Sequence, residues 1–108
     1  MLTDRIDWET LRSIDSATFT GSYQNLGTPL QYPSYICKLV NNSTVLVTIS
    51  KDGTNDIDVA PAGSFWLYDE SKNSQPGSPA LPAGTQIQVK GSAGVGSVYL
   101  VSQYIVVR

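Results

Sequence analysis

The sequence contains no histidine and a single cysteine, Cys37, and both facts limit its chemistry. Histidine is the commonest general base near neutral pH and the commonest ligand of zinc, so most hydrolase and metalloenzyme schemes lack their central residue. One cysteine cannot form an internal disulfide. Its place within an apolar, strand-like segment predicts a small core residue rather than a nucleophile. We therefore predict that the chain is not an enzyme and uses no cofactor.

Charged side chains are also scarce, at 15% of the 108 residues, with seven basic against nine acidic groups. No cluster of Lys and Arg could neutralise a row of phosphates, so nucleic acid is not expected as a partner. Ser, Thr, Gly, Asn and Gln replace the missing charges. A polar but weakly charged surface suits contact with other proteins, because charged groups are depleted in the centres of interfaces. The alternative is that a β-rich chain needs these residues in its turns.

Long apolar runs are missing too. No stretch approaches the roughly 20 apolar residues of a membrane span, and the first residues lack the charged head and apolar run of a signal peptide. We expect a chain that is made in a cytosol, stays soluble and does not contact a membrane. Its length predicts one domain with one hydrophobic core.

Alternating apolar and polar residues predict strands. The regular alternation over Ala17–Gln24 predicts a half-buried strand. Tyr35–Val40 and Thr44–Ser50 flank Asn41-Asn42-Ser43, a run suited to a tight turn, and so predict a hairpin. Its inward residues would be Tyr35, Cys37, Leu39, Val45, Val47 and Ile49, with Lys38 and Thr48 outward.

Turn residues divide the rest of the chain into further strands. Ala60–Tyr68 and Leu81–Val89 each begin with a predicted turn, with Pro at its second position and Gly at its fourth, and continue as a strand. Ser71–Pro79 predicts an exposed loop. Ser97–Val107 is apolar on both faces, which indicates a central strand or one covered by a partner subunit. Six or seven short antiparallel strands at close spacing predict an all-β fold, either an antiparallel β-sandwich or a jelly-roll-like barrel.

The first 16 residues break the strand pattern. Trp8, Leu11 and Ile14 fall at helical spacing after Asp7, a suitable N-cap, so a short helix or an irregular N-terminal arm is expected over residues 1–16. Residues 17–108 would form the β-sandwich domain and fold without the arm. The apolar stripe could pack on this sandwich or on a neighbouring subunit.

Two clusters resemble ligand sites without matching a complete motif. Asp52, Asp56 and Asp58 could collect oxygen ligands for calcium, but their spacing is not that of an EF-hand, and turn formation explains the same residues. The glycines at 91, 94 and 96 precede a strand and lack the Lys-Ser/Thr pair of a phosphate-binding loop, so they predict a turn. No metal site is predicted.

Aromatic residues leave one alternative open. Trp66 and Tyr68 project to the face opposite Phe65 and Leu67, and an exposed Trp/Tyr pair could stack on a sugar ring. We favour a subunit interface or a second core layer, because aromatic side chains are enriched in both places. The predicted interface residues are Trp8, Leu11, Ile14, Trp66 and Tyr68.

Several segments together resemble a group of small structural proteins of tailed bacteriophages. The resemblance is carried by Val40–Gly53, Pro61–Gly63, Leu67–Asp69, Leu81–Ile87, Gly91–Gly94 and Val98–Val101. It implies a β-sandwich component of a virion, present in several copies and made in the host cytoplasm. It also implies portal, tail, fibre or capsid subunits as partners, and it carries over no catalytic residues.

Composition and resemblance therefore favour an assembly role. Our leading expectation is a neck or tail subunit that joins larger parts or anchors fibres. A decoration protein that clamps the outside of the head is the first alternative. A carbohydrate-binding module is the alternative from another functional class.

Overall fold

The computed structural model describes residues 4–70 and 81–107, and these residues form two antiparallel sheets packed face to face. The predicted all-β sandwich is confirmed. The described strands are β1 (Asp4–Trp8), β2 (Arg12–Asp15), β3 (Gln24–Asn25), β4 (Ile36–Ser43), β5 (Val47–Ser50), β6 (Asp58–Ala60), β7 (Phe65–Asp69), β8 (Gln88–Lys90) and β9 (Gly96–Val107). A short 3-10 turn, Ser16–Thr18, follows β2.

The first sheet has five strands in the order β1-β9-β4-β7, with β2 also paired to β9. The second sheet has four strands in the order β3-β8-β5-β6. β9 is the centre of the first sheet, since it pairs with β4 along one edge and with β1 and β2 along the other. Its apolar character on both faces predicted a central strand covered on both sides or a strand whose outer face meets a partner. β9 is central in its sheet, but the second sheet covers only the face that carries Val98 and Leu100, so the partner on the other face stays a prediction.

The core lies between the sheets and is built from alternate residues of each strand. Burying one such aliphatic side chain contributes roughly 1.5–3 kcal/mol, so this layer supplies most of the driving force for folding. Its fully buried aliphatic members are Leu26, Leu39, Val47, Ile49, Ile87, Val89, Val98 and Leu100.

The predicted hairpin is wrong in its pairing, although its core faces are right. β4 continues through the expected turn to Ser43 and pairs with β7 and β9, whereas β5 lies in the second sheet with β6 and β8. Cys37, Leu39, Val47 and Ile49 are nevertheless buried, as the alternation predicts. The segment between β4 and β5 therefore crosses from one sheet to the other.

Asn41 explains why this segment forms a corner rather than a hairpin turn. Its side chain is fully buried, and Nδ2 donates to the carbonyl oxygens of Val45 and Ala60, each at 2.8 Å. Its Oδ1 accepts a hydrogen bond from Ser43 Oγ at 2.5 Å. These bonds join the end of β4 to the segment that precedes β5 and to the last residue of β6, because buried carbonyl groups need donors wherever the ladder is interrupted.

The strand predicted over Ala17–Gln24 is also wrong, since only Gln24 belongs to a strand. The Asp15 carboxylate accepts a hydrogen bond from the Ala17 N–H at 2.9 Å, and the Phe19 N–H donates to the Ser16 carbonyl at 3.2 Å. Side-chain capping of this kind competes with strand formation and overrides the alternation. Phe19 still reaches the core.

No α-helix forms over residues 4–16, so the helix predicted from Trp8, Leu11 and Ile14 is wrong. β1 and β2 instead follow the edge of β9 as one strand interrupted at Glu9–Leu11. The long strand β9 offers an open edge for pairing. Hydrogen bonds along this edge stabilise β1 and β2 more than a short helix with a weak apolar stripe would be stabilised. The loop predicted over Ser71–Pro79 lies outside the described residues.

The two Pro-Ala-Gly segments form turns, as predicted, but proline occupies the first turn position rather than the second. Ser64 N–H donates to the Pro61 carbonyl at 3.0 Å, and Thr85 N–H donates to the Pro82 carbonyl at 3.2 Å. Gly63 then has a φ of 74°, a left-handed conformation that glycine adopts without steric cost. The first of these turns leads directly into β7.

Candidate functional site

The surface of the first sheet that points away from the core is predominantly apolar. Cross-strand neighbours in an antiparallel sheet point to the same side, so the pairs Lys38/Leu67, Lys38/Val101 and Val40/Tyr99 share this surface. By the same reasoning, the pairing of β9 with β1 extends this surface to Ile6 and Trp8. We define the first-sheet outer face by Ile6, Trp8, Ile36, Lys38, Val40, Phe65, Leu67, Tyr99 and Val101.

Several large side chains of this face are strongly exposed. Phe65 is 60% exposed, Trp8 is 58% exposed and Leu67 is 47% exposed. Single exposed apolar residues are ordinary, but a contiguous set across several strands is typical of a protein interaction surface. The first-sheet outer face is therefore the strongest candidate for a functional site.

A shallow depression of about 220 Å³ lies on this face beside the turn that precedes β7. It is lined by Lys38, Val40, Gly63, Ser64 and Phe65. Within the described parts of the chain, Lys38 takes part in no ion pair. The Lys38 ammonium group, surrounded by apolar side chains, could pair with a carboxylate of a docked partner. This pairing would be stronger than on an open surface, because the two charges would be partly desolvated.

The outer face of the second sheet is different, because a polar cluster covers its centre. Tyr23 donates a hydrogen bond from its hydroxyl to the Asp56 carboxylate, and Lys90 Nζ lies 3.2 Å from Asp56 Oδ1 and 4.6 Å from the centre of the Tyr23 ring. Burial and the bond to Asp56 raise the pKa of Tyr23 to about 12. This face also exposes Val59 of β6 and the neighbouring Ile57, so it combines apolar residues with a hydrogen-bonded charged cluster that the first-sheet outer face lacks among its described residues.

Comparison with solved structures finds a distant likeness. No protein-family model and no curated protein matches the chain. Among solved structures, the chain is similar to one described as "Bacillus endospore appendages form a novel family of disulfide-linked pili", with a TM-score of 0.49. The similarity covers 96% of this chain and 89% of that chain at 10% sequence identity.

The structure separates the three predicted N-terminal interface residues. Trp8 lies on the first-sheet outer face, and Leu11, 57% exposed, lies in the interruption between β1 and β2. Ile14 is partly buried and packs against the core. They do not form one stripe, because the interruption at Glu9–Leu11 shifts the alternation between β1 and β2, so that Trp8 points outward and Ile14 inward. Their role as interface residues stays a prediction.

Trp66 and Tyr68 face inward. Both are partly buried and pack against the core, and burial raises the pKa of Tyr68. The exposed Trp/Tyr pair required for stacking on a sugar is therefore not formed by these residues. The exposed pair on β7 is Phe65 and Leu67, which sequence reasoning missed because alternation alone does not tell which side meets the core.

The residues considered for chemistry have structural roles. Cys37 is fully buried, and burial raises the pKa of its thiol to about 12. The Asp52 carboxylate accepts hydrogen bonds from the Asn55 and Thr54 N–H groups, which hold its pKa well below the usual range. Among the described residues, no three His, Cys, Asp or Glu side chains converge on a point where a metal could bind. The same residues include no helix of the length and hydropathy needed to cross a membrane.

A buried ion pair is another charged feature that sequence reasoning did not anticipate. Arg12 Nη2 lies 2.8 Å from Glu9 Oε1, and both side chains are almost fully buried. Arg12 also donates to the carbonyl oxygens of Thr28 and Pro29, while Glu9 accepts from the Gln31 and Tyr32 N–H groups. The pair fastens residues 28–32 to the N-terminal strands. A three-residue separation of opposite charges is too common in sequences to have revealed it.

Proposed function

We propose that this chain is a non-enzymatic structural subunit of a tailed-phage particle, placed at the neck or tail, and that it contacts neighbouring subunits through the first-sheet outer face. The observation that carries the proposal is the concentration of exposed apolar side chains on that face. Such a surface gains free energy when a partner removes it from water. The segments that resemble phage structural proteins support a phage particle as the assembly in which this face is buried.

The arrangement of the face favours binding over catalysis. The side chains by which this face is defined are apolar or aromatic apart from Lys38, and the register adds Asp69 and Gln103 beside Ile36. Such a surface suits contact with another protein better than general acid-base chemistry, which requires an acid and a base group at hydrogen-bond distance. Aromatic and aliphatic anchors around one cation are the composition found at the centres of protein interfaces. The composition of this face therefore fits a role in assembly.

A matched pair of substitutions tests the proposal. Ile6 lies on the first-sheet outer face and Ile57 lies beside β6 of the second sheet, with exposures of 44% and 43%. We expect Ile6→Lys to lower incorporation into particles about tenfold, corresponding to the loss of roughly 1.4 kcal/mol per contact. Ile57→Lys should incorporate as the unmodified chain does. Circular dichroism of both variants would verify that each is folded.

The proposal fails if both variants incorporate normally, or if only Ile57→Lys is excluded from particles. Electron microscopy of particles that carry the chain would then distinguish the neck or tail from the head surface by position and copy number. A regular array over the head would favour the decoration role instead.

A further inference from the structure

On the outer edge of β7, some main-chain N–H and C=O groups form no hydrogen bond to any described strand. Asn41 N–H donates to the Ser64 carbonyl at 2.9 Å, and Glu70 N–H donates to the Tyr35 carbonyl at 2.7 Å. Bonded and non-bonded residues alternate along an antiparallel ladder, so Trp66 and Tyr68 bond to β4. The N–H and C=O groups of Phe65 and Leu67 therefore point away from β4. Within residues 4–70 and 81–107 they have no hydrogen-bond partner.

At the opposite edge of the first sheet, the outward N–H group of Trp8 is capped by a charged side chain. Glu9 N–H donates to the Ser102 carbonyl at 3.0 Å, so the N–H of the preceding residue, Trp8, points away from β9. That N–H donates to the Asp7 carboxylate at 2.8 Å. A charged side chain that caps an edge N–H is one of the ways in which sheets resist pairing. Asp69, at the end of β7, is the charged residue of this strand, whereas Phe65–Tyr68 contains neither a charge nor a proline. Within the described residues, the Phe65 and Leu67 N–H groups therefore have no such cap.

We propose that β7 pairs with β7 of a second copy of this chain, antiparallel and around a two-fold axis at Trp66. This proposal deepens the proposed function and rests on it, because it assumes that the chain acts as a subunit of an assembly. In this register Phe65 lies opposite Leu67 of the second copy, and Leu67 lies opposite Phe65 of the second copy. Each of these pairs exchanges both of its N–H···O bonds.

The side chains make the second copy a suitable occupant of this edge. Phe65 and Leu67 project to the same side, so the pairing places an aromatic ring against an aliphatic side chain twice, an arrangement that stabilises cross-strand neighbours. No like charges meet, since Phe65–Tyr68 is uncharged. The two sheets then continue into each other, and the first-sheet outer faces of both copies form one surface for the rest of the particle.

A mixed cross-linking experiment tests the register. In a Cys37→Ser background, Phe65→Cys and Leu67→Cys chains are prepared separately, mixed in equal amounts and oxidised with oxidised glutathione. Opposed residues in a bonded pair have Cα atoms about 5.5 Å apart, within the range of a disulfide, whereas identical residues lie on a diagonal of about 7–8 Å. We expect at least about fivefold more disulfide-linked dimer in the mixture than in either variant alone, because only opposed residues meet this geometry.

A mixture of Ile57→Cys and Val59→Cys is the matched control. These residues have the same spacing on the second sheet and similar exposures, 43% and 46%. Cross-linking of the β7 mixture no greater than that of this control would overturn the proposal. Equal cross-linking within each single β7 variant would overturn it as well, since it indicates another register or face-to-face contact. Either result leaves the proposed function intact if Ile6→Lys still lowers incorporation.

Hydrogen exchange of the unmodified chain tests the main-chain bonds directly. As the protein concentration rises, the Phe65 and Leu67 amides should become at least about tenfold more protected, because pairing gives each a carbonyl acceptor. The Trp66 and Tyr68 amides, already bonded to β4, should change little. A dimer in which the Phe65 and Leu67 amides exchange as in the monomer contradicts strand pairing. A change produced only by adding other particle proteins points to a different occupant and also overturns the second-copy proposal.

Discussion

At the scale of single residues, the Glu9–Arg12 pair determines how the N-terminal strands are attached. Burial alone would raise the pKa of Glu9, but hydrogen bonds from Gln31, Arg12 and Tyr32, together with the Arg12 charge, outweigh it, and the pKa of Glu9 is lowered. A carboxyl group whose pKa is lower in the folded state stabilises that state above its unfolded pKa of about 4.3. The contribution is lost as the pH falls from there through the folded pKa.

Replacing Glu9 should therefore have an effect that depends on pH. We expect Glu9→Gln to lower the free energy of unfolding at pH 7 by roughly 3 kcal/mol, because Arg12 stays buried without its counter-charge. Near pH 3 the difference from the unmodified chain should be smaller than at pH 7, because pH 3 lies below the unfolded pKa of about 4.3, where the stabilisation by a carboxyl group with a lowered folded pKa is being lost. Urea unfolding at both pH values measures this, with the exposed Asp58→Asn as a control. The same deficit at both pH values would show that the charge is not responsible.

At the scale of strands, the sequence predicted which side chains are buried better than it predicted which strands pair. Alternation identified Cys37, Leu39, Val47 and Ile49 as core residues, since a strand with one buried face must repeat every two residues. It could not reveal that β4 and β5 belong to different sheets, because the same alternation fits either arrangement. That difference depends on Asn41, whose hydrogen bonds to Val45 and Ala60 exist only after the sheets have met.

The N-terminal segment leads to a prediction at the same scale. From the pattern alone, the β domain was expected to fold without residues 1–14. The structure leads to the opposite expectation, because β1 and β2 cover one edge of β9, Ile14 packs on the core and Arg12 holds residues 28 and 29. Deletion of residues 1–14 should lower the melting temperature by at least about 10 °C, corresponding to a few kcal/mol in a domain of this size.

Circular dichroism melts of the truncated and full chains measure the effect of this deletion. Ile6→Lys in the full chain is the control, since it changes an exposed residue of β1 and should leave the melting temperature nearly unchanged. A truncated chain that melts like the full one would show that β9 does not need its edge covered. The first expectation, of an independent domain over residues 17–108, would then be correct.

At the scale of the whole molecule, the sandwich has two outer faces of different polarity. The first sheet presents Trp8, Phe65 and Leu67, whereas the second presents the hydrogen-bonded Tyr23, Asp56 and Lys90. The sequence could not assign these faces, since Trp66 and Tyr68 would fit the outer side as well as Phe65 and Leu67 do. The choice is made by packing against the core. A subunit held through the first sheet would leave the second exposed.

Two lysines make this orientation measurable in intact particles. Lys38 is exposed on the first-sheet outer face, and Lys51 is exposed in the turn after β5 of the second sheet. In the isolated chain both amines should react with an acetylating reagent. In particles we expect acetylation of Lys38 to fall at least about tenfold while that of Lys51 changes little, because a docked partner excludes water and reagent from the centre of an interface. Mass spectrometry of the digested chain gives both values from one sample, so Lys51 is the internal control. Protection of Lys51 with Lys38 still reactive would mean that the chain is held through its second sheet, and the surface proposed for assembly would be wrong.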